Sequence, residues 1–228
     1  MTHEFDKAYW EHHWEKGHGE YADADADRPG KGPGTANPYL ARELGDLSPG
    51  TALDAGCGEG AESMWLAGRG WKVTGADISA AALARAAERA KDAGLSDHVR
   101  WVEADLTVWT PSDQFDLVTT SYAHPAMPQL TFYDRIAGWV AAGGTLLLVG
   151  HLHDAARTHE TAPAHEAASP HTAHHPVEAT VTLADVTAGL DPAAWQIETA
   201  EEVTRVPAGH GGHAVPLRDV VVRATRRA

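Results

Sequence analysis

The sequence predicts an α/β fold with a doubly wound, mostly parallel sheet of seven strands, the last of them antiparallel. Three observations predict it. Short apolar strands alternate with helical segments from Thr51 to Val149. A glycine-rich turn, Asp54-Ala55-Gly56-Cys57-Gly58-Glu59-Gly60, joins the first strand to the first helix of that alternation. Two closing strands are joined by a short connection.

The elements follow in order. Tyr9, Trp10 and Trp14 sit among charges, and Trp10 and Trp14 are four apart, so the start of the chain reads as a short amphipathic helix. Alternating acids at Asp23, Asp25 and Asp27, then Gly and Pro up to Thr35, have loop composition. Pro38 to Gly45 reads as a second short helix. Strands are expected at Thr51 to Ala55, Trp71 to Ala76, Val99 to Glu103, Phe115 to Thr120 and Thr145 to Val149. Helices are expected at Ala61 to Gly68, Ser79 to Ala93 and Met127 to Val140. Ser79 is a natural N-cap and Gly94 a natural terminator, and Gly143-Gly144 reads as a turn. Strand, helix and strand in repetition imply right-handed crossovers and a sheet covered on both faces. Thr182 to Leu190 reads as a helix. Trp195 to Val203 and Leu217 to Ala224 read as the closing strands, antiparallel to each other.

A chain of 228 residues fits one such domain with some decoration. Apolar residues make up 43% of it, too many for wholesale disorder. The formal charge of -14 repels nucleic acid, so none is expected as a partner. Cys57 is the only cysteine, which rules out an intrachain disulfide and permits a reducing compartment. No signal-like stretch opens the chain and no run approaches the length of a membrane span, so the expected location is cytoplasmic, with no membrane partner. A monomer or a homodimer fits equally.

The glycine turn lies where an open parallel sheet binds its ligand, beyond the carboxyl end of a strand. Glycine permits positive φ and lets a ligand approach the backbone. Three features argue against a dinucleotide. The spacing is G-x-G-x-G and not G-x-G-x-x-G. Asp54, two residues before the first glycine, favours a ligand ammonium and disfavours a pyrophosphate. Asp77 ends the second strand, where it can meet a ribose diol, and Asp105 follows the third, where it can meet an adenine amino group. An amino-acid end, a diol and an adenine edge without phosphate describe S-adenosylmethionine (SAM).

Asp54, Gly56, Gly58, Gly60, Asp77 and Asp105-Leu106 together resemble the motifs of the class I SAM-dependent methyltransferases. The resemblance covers Thr51 to Val149 well and the rest of the chain more loosely. It implies a Rossmann-like fold and SAM as cofactor, with these residues contacting the methionyl part, the ribose and the adenine in turn. Cys57, Ile78 and Ser121 join the expected cofactor set. Cys57 reads as a small buried residue and not as a nucleophile.

The aromatic first helix, the Asn37-Pro38 loop and the short C-terminal half resemble, within that family, small bacterial enzymes related to tellurite-resistance and thiopurine methyltransferases. This implies a soft acceptor atom (S, Se or Te) in a small molecule, with nitrogen or oxygen of a small aromatic or natural-product metabolite as the alternative. It also implies that residues 1–45 fold over the cofactor and that 46–228 form the SAM-binding domain, with Tyr9, Trp10 and Trp14 as substrate or lid residues.

The acceptor is expected beside the ends of the fourth and fifth strands. Tyr122 and His124 follow one, His151 and His153 the other. Histidine titrates near neutral pH, so His124 and His151, with Tyr122, are the candidate catalytic residues. The alternative is that His124 packs beside Pro125 and shapes the pocket wall. Residues 151–176 form a histidine-rich insertion or lid. His151, His153, His159, His165, His171, His174 and His175 crowd there, with His210 and His213 further on. Their irregular spacing specifies no closed metal site, so no metal is expected. A metal-binding protein on a retired methyltransferase fold and an NAD(P)-dependent oxidoreductase remain the competing classes.

Overall fold

The computed structural model describes residues 5–15, 35–152, 180–205 and 217–228. Helix α1 (Lys7–Glu15) and helix α2 (Pro38–Leu44) precede β1 (Thr51–Ala55), α3 (Ala61–Ala67), β2 (Lys72–Asp77), α4 (Ala80–Asp92) and β3 (Val99–Glu103). Then come β4 (Phe115–Ser121), α5 (Gln129–Ala137), β5 (Val140–Leu152), β6 (Thr180–Val181), α6 (Leu183–Ala188), β7 (Trp195–Arg205) and β8 (Leu217–Arg226).

One sheet runs in the order β3-β2-β1-β4-β5-β8-β7. β1 to β5 are mutually parallel, and β8 inserts antiparallel between β5 and β7. The expected seven strands are all present. A two-residue eighth, β6, pairs with the end of β5 at His151 and Leu152; a strand that short carries no readable period. The order reverses between β1 and β4, which makes their carboxyl ends the natural ligand crevice.

The sheet has a core on each face. One gathers Leu53, Val118, Leu146, Leu148 and Val220 under Phe132 and Ile136 of α5. The other gathers Ala52, Leu117, Leu147, Val149 and Val221 under Leu40 and Leu44 of α2 and Leu66 of α3. Adjacent strand residues divide between the two clusters because side chains alternate with period two.

Local chemistry sets the element ends. Asn37 accepts from the Tyr39 N–H at the start of α2, where Pro38 needs no donor. Ser79 accepts from the Ala82 N–H and caps α4 as expected. Two expectations need correction. The helix expected from Met127 to Val140 is shorter, Gln129–Ala137, because Pro128 precedes it and Gly138 ends it. Gly143-Gly144 is not a turn before the fifth strand but lies inside β5. Phe115 pairs with Val140 and Leu117 with Thr145, so several residues bulge opposite Asp116. A Cβ on Gly144 would lie 2.9 Å from the Asp116 carbonyl oxygen, which is why glycine occupies the bulge. No helix among the described residues is long and apolar enough to cross a membrane.

Candidate active site

The glycine turn leaves β1 in left-handed backbone at Gly56, Gly58 and Gly60, with φ of 78°, 51° and 74°. The N–H groups of Gly56 and Cys57 donate to the Ala76 carbonyl at 2.8 and 3.1 Å, pinning the turn to the end of β2. Asp77 completes the clamp. Its Oδ2 accepts from the Gly58 N–H at 2.8 Å and its Oδ1 from the Ser79 N–H at 2.9 Å. Each oxygen keeps capacity for a further donor such as a ribose hydroxyl.

Asp54 is buried and accepts from the Ser63 hydroxyl at 2.7 Å, tying β1 to α3. Burial, and then the nearby charge of Glu62, push its carboxyl up to about 8. Burial also raises Asp77, against hydrogen bonds from the Ser79, Gly58 and Ile78 backbones. Burial and the charges of Asp54 and Asp77 raise the Cys57 thiol well above its ordinary value, which suits an inert packing residue and not a nucleophile. Glu62 itself accepts from the Asn37 N–H at 3.0 Å. Three carboxylates thus surround one turn. A ligand carrying ammonium and sulfonium charge supplies the countercharge this set lacks, so the residues fit SAM.

Asp105 follows β3 with an exposed carboxylate whose Oδ1 accepts from the Thr107 N–H and hydroxyl at 2.9 and 2.7 Å. Leu106 beside it is buried. Ser121 ends β4 with its hydroxyl buried and without a hydrogen-bond partner among the described residues.

Beyond the ends of β4 and β5 lies a stack of rings. His151 lies on Tyr122 with centroids 4.6 Å apart and on His124 at 5.5 Å, the planes tilted by 27° and 26°. The structure therefore brings together the three candidate catalytic residues. Gln129 orients His124. Its Oε1 lies 3.4 Å from His124 Nδ1, and its Nε2 donates to the Ala123 carbonyl at 3.0 Å. Behind the stack stands Asp219, fully buried on β8. Its Oδ2 accepts from the Tyr39 and Tyr122 hydroxyls, each at 3.0 Å, and its Oδ1 lies 3.9 Å from His151 Nδ1.

Helix α1 crosses this edge. The Trp10 indole N–H donates to the His124 carbonyl at 3.2 Å. The Trp14 ring lies so close to Gly58 that a Cβ there would sit 3.1 Å from it. Tyr9 stands further out, against Phe5, Trp10 and His13. Lys7 pairs with Glu103 at the end of β3. His153, the rest of the histidine-rich stretch, His210 and His213 lie outside the described residues.

Sequence reasoning missed Asp219, Tyr39, Gln129, Glu11 and Glu62. Asp219 left one trace, a lone acid opening the run Val220-Val221-Val222. Its partner His151 is set by strand register, in which the two stand directly opposite.

Residues 52–144 match a family model described as a methyltransferase domain. An uncharacterised methyltransferase of Mycobacterium tuberculosis is 39% identical over 99 residues, which cover 42% of this chain and 48% of that protein. A probable thiol methyltransferase of Arabidopsis thaliana is 30% identical over 111 residues, 48% of this chain and 45% of that protein. The chain thus spans about half the length of these relatives. A Burkholderia thailandensis 1,6-didemethyltoxoflavin N1-methyltransferase, solved with its substrate and S-adenosylhomocysteine, shares the fold. Its TM-score is 0.62 at 18% identity, over 97% of this chain and 87% of that one. The glycine turn and its carboxylates at the sheet's switch point thus lie within residues that match a methyltransferase domain, on a fold shared with a solved methyltransferase.

Proposed function

We propose that the protein transfers a methyl group from SAM to a soft heteroatom, foremost sulfur, of a small molecule. The observation that carries this reading is the adjacency of two chemistries at one sheet edge. Carboxylates that suit a cationic ligand surround the turn after β1. The stack of Tyr122, His124 and His151 follows the neighbouring strands β4 and β5.

Asp54 and the Gly56–Gly60 backbone, with Cys57, would hold the methionyl part of SAM, Asp77 and Ile78 the ribose, and Asp105 and Leu106 the adenine. Ser121 borders the methionyl end. SAM supplies an electrophilic methyl group on a cationic sulfur. The protein's part is to align an acceptor with that group and keep water out. Trp10 and Trp14 of α1 cover the edge, so we assign α1, the described part of the N-terminal segment before α2, as a cap over the SAM-binding unit. His124, held by Gln129 and covered by Phe5 at 5.9 Å between rings, orients the acceptor. The resemblance to thiol methyltransferases supports sulfur. Nitrogen methylation, as named for the Burkholderia enzyme, is the second reading.

The test is incubation with methyl-labelled SAM and a panel of thiols, selenite, tellurite, amines and phenols, followed by identification of the product. Label on sulfur, selenium or tellurium supports the proposal, and label on nitrogen or oxygen alone replaces it with the second reading. In the same assay His124→Ala should lower turnover and leave SAM affinity near normal. Full turnover would reduce His124 to pocket wall.

A further inference from the structure

We propose that Asp219 positions His151 as a proton acceptor, so that the methyl acceptor enters with its proton attached: a thiol, and not an ion such as thiocyanate or tellurite. The inference rests on the methyltransferase reading and narrows its substrate class.

Four observations carry it. Asp219 and His151 are directly opposed in the antiparallel β5–β8 pair, so their side chains stand on one face of the sheet. Asp219 is fully buried beside Val220, Val221 and Val222, where a carboxylate is costly unless hydrogen-bonded. Among the described residues two hydroxyls donate to it, from Tyr39 on α2 and Tyr122 after β4, both to Oδ2, while Oδ1 lies 3.9 Å from His151 Nδ1. Tyr122 reaches Asp219 from a left-handed backbone, φ 57°, the one positive φ at a non-glycine residue among those described. Such strain at a tyrosine persists only where its surroundings demand it.

A core that needed only packing would place an apolar residue at 219. This arrangement has the logic of a base with an orienting carboxylate behind it. The 3.9 Å separation is longer than a hydrogen bond, as is common before an acceptor is bound. The other titratable groups facing His151 among the described residues are Tyr122 and His124, on the segment after β4. Tyr39, on α2, faces it through Asp219.

In the step itself the acceptor's S–H proton passes to His151 Nε2. The freed pair forms the new bond to the methyl carbon. The pair of the broken sulfonium C–S bond stays with the departing sulfur, which leaves as a neutral thioether. The imidazolium then returns its proton to solvent.

The experiment uses the full chain with S-adenosylhomocysteine. His151 is titrated by imidazole NMR in the wild type, Asp219→Asn and Asp219→Glu, and S-adenosylhomocysteine affinity is measured alongside. Asp219→Asn should lower the His151 midpoint by about one pH unit, because a neighbouring negative charge is lost, and Asp219→Glu should restore much of it. The ratio of initial rates with 2-mercaptoethanol at about pH 7 and at about pH 10, where the thiol arrives ionised, should fall about tenfold in Asp219→Asn. An unchanged midpoint, or an unchanged ratio, overturns the proposal. If Asp219→Asn does not fold, Tyr39→Phe, which removes one hydroxyl from the carboxylate, should raise the midpoint, and no movement there overturns it equally. Failure of the wild type to bind S-adenosylhomocysteine sinks the methyltransferase reading instead.

Discussion

Glu11 of α1 and Ser79, the N-cap of α4, are joined by a hydrogen bond of 2.9 Å across 68 positions of sequence. The same carboxylate accepts from the backbone N–H groups of Ala80 at 2.8 Å and Ala81 at 3.2 Å. It therefore closes the positive end of α4 next to Asp77, and fastens the N-terminal helix to the cofactor edge.

Glu11→Ala should release α1. A lost cap costs about 1 kcal/mol, read as a lower midpoint in urea unfolding. Burial opposes the Glu11 charge, but hydrogen bonds from Ala80, Ser79 and Ala81 outweigh it and hold the carboxyl below its ordinary value. The stabilisation is therefore present at neutral pH and is lost on acidification, once pH falls below the usual carboxylate range. Tryptophan fluorescence of Trp10 and Trp14 should report the release, and a mutant indistinguishable from wild type at neutral pH would show that α1 docks by its aromatic contacts alone.

Asp77→Ala should weaken SAM binding by about 1–3 kcal/mol through lost charge-assisted hydrogen bonds. It also leaves the Gly58 and Ser79 N–H groups without their acceptor, so thermal stability should drop in the same variant. Asp77→Asn keeps an acceptor and should recover stability before affinity. Calorimetry on the two variants separates the roles, and equal SAM affinity in all three proteins would place the ribose elsewhere.

Asp54 makes SAM binding pH-dependent. In the free protein its carboxyl is raised to about 8, by burial first and Glu62 second. Between the ordinary value and about 8 the folded state binds more protons than the unfolded one, so the free protein should lose stability as pH rises through that window. A cationic ligand favours the ionised form, so SAM affinity should rise with pH up to about 8 and binding should release a proton. Calorimetry in buffers of different ionisation enthalpy counts that proton. Asp54→Asn should stabilise the free protein at pH 8 and flatten the profile, whereas a profile as steep as wild type would assign the proton to another group.

Gly60→Ala tests the turn. Its φ of 74° disfavours any side chain, and an added Cβ would lie 2.3 Å from the Trp101 ring. Overpacking together with backbone strain should cost roughly 2–4 kcal/mol, measured by denaturant unfolding. A loss below about 1 kcal/mol would mean that Trp101 moves aside freely.

Much of the fold was legible because its signals are local. β1 and β3 occupy the residues that alternation alone marks, Thr51–Ala55 and Val99–Glu103. The Ser79 cap and the glycine turn are short-range chemistry as well. The bulge at Gly143-Gly144 was misread because a glycine pair looks the same in a turn and in a bulge, and only the register between β4 and β5 distinguishes them.

The sequence by itself determined an α/β sheet, a glycine turn with acids at successive strand ends, and with them a SAM-type ligand. Those features lie within a few residues of one another or repeat with a period, so no long-range contact is needed to see them. Only the tertiary structure decided what stands behind the candidate base. Tyr39, Tyr122, His151 and Asp219 are as much as 180 positions apart. They meet because β8 inserts antiparallel beside β5 and sets residue 219 opposite residue 151. Register between distant strands is fixed by the packing of whole faces, and one residue of slip would turn Asp219 to the other side of the sheet.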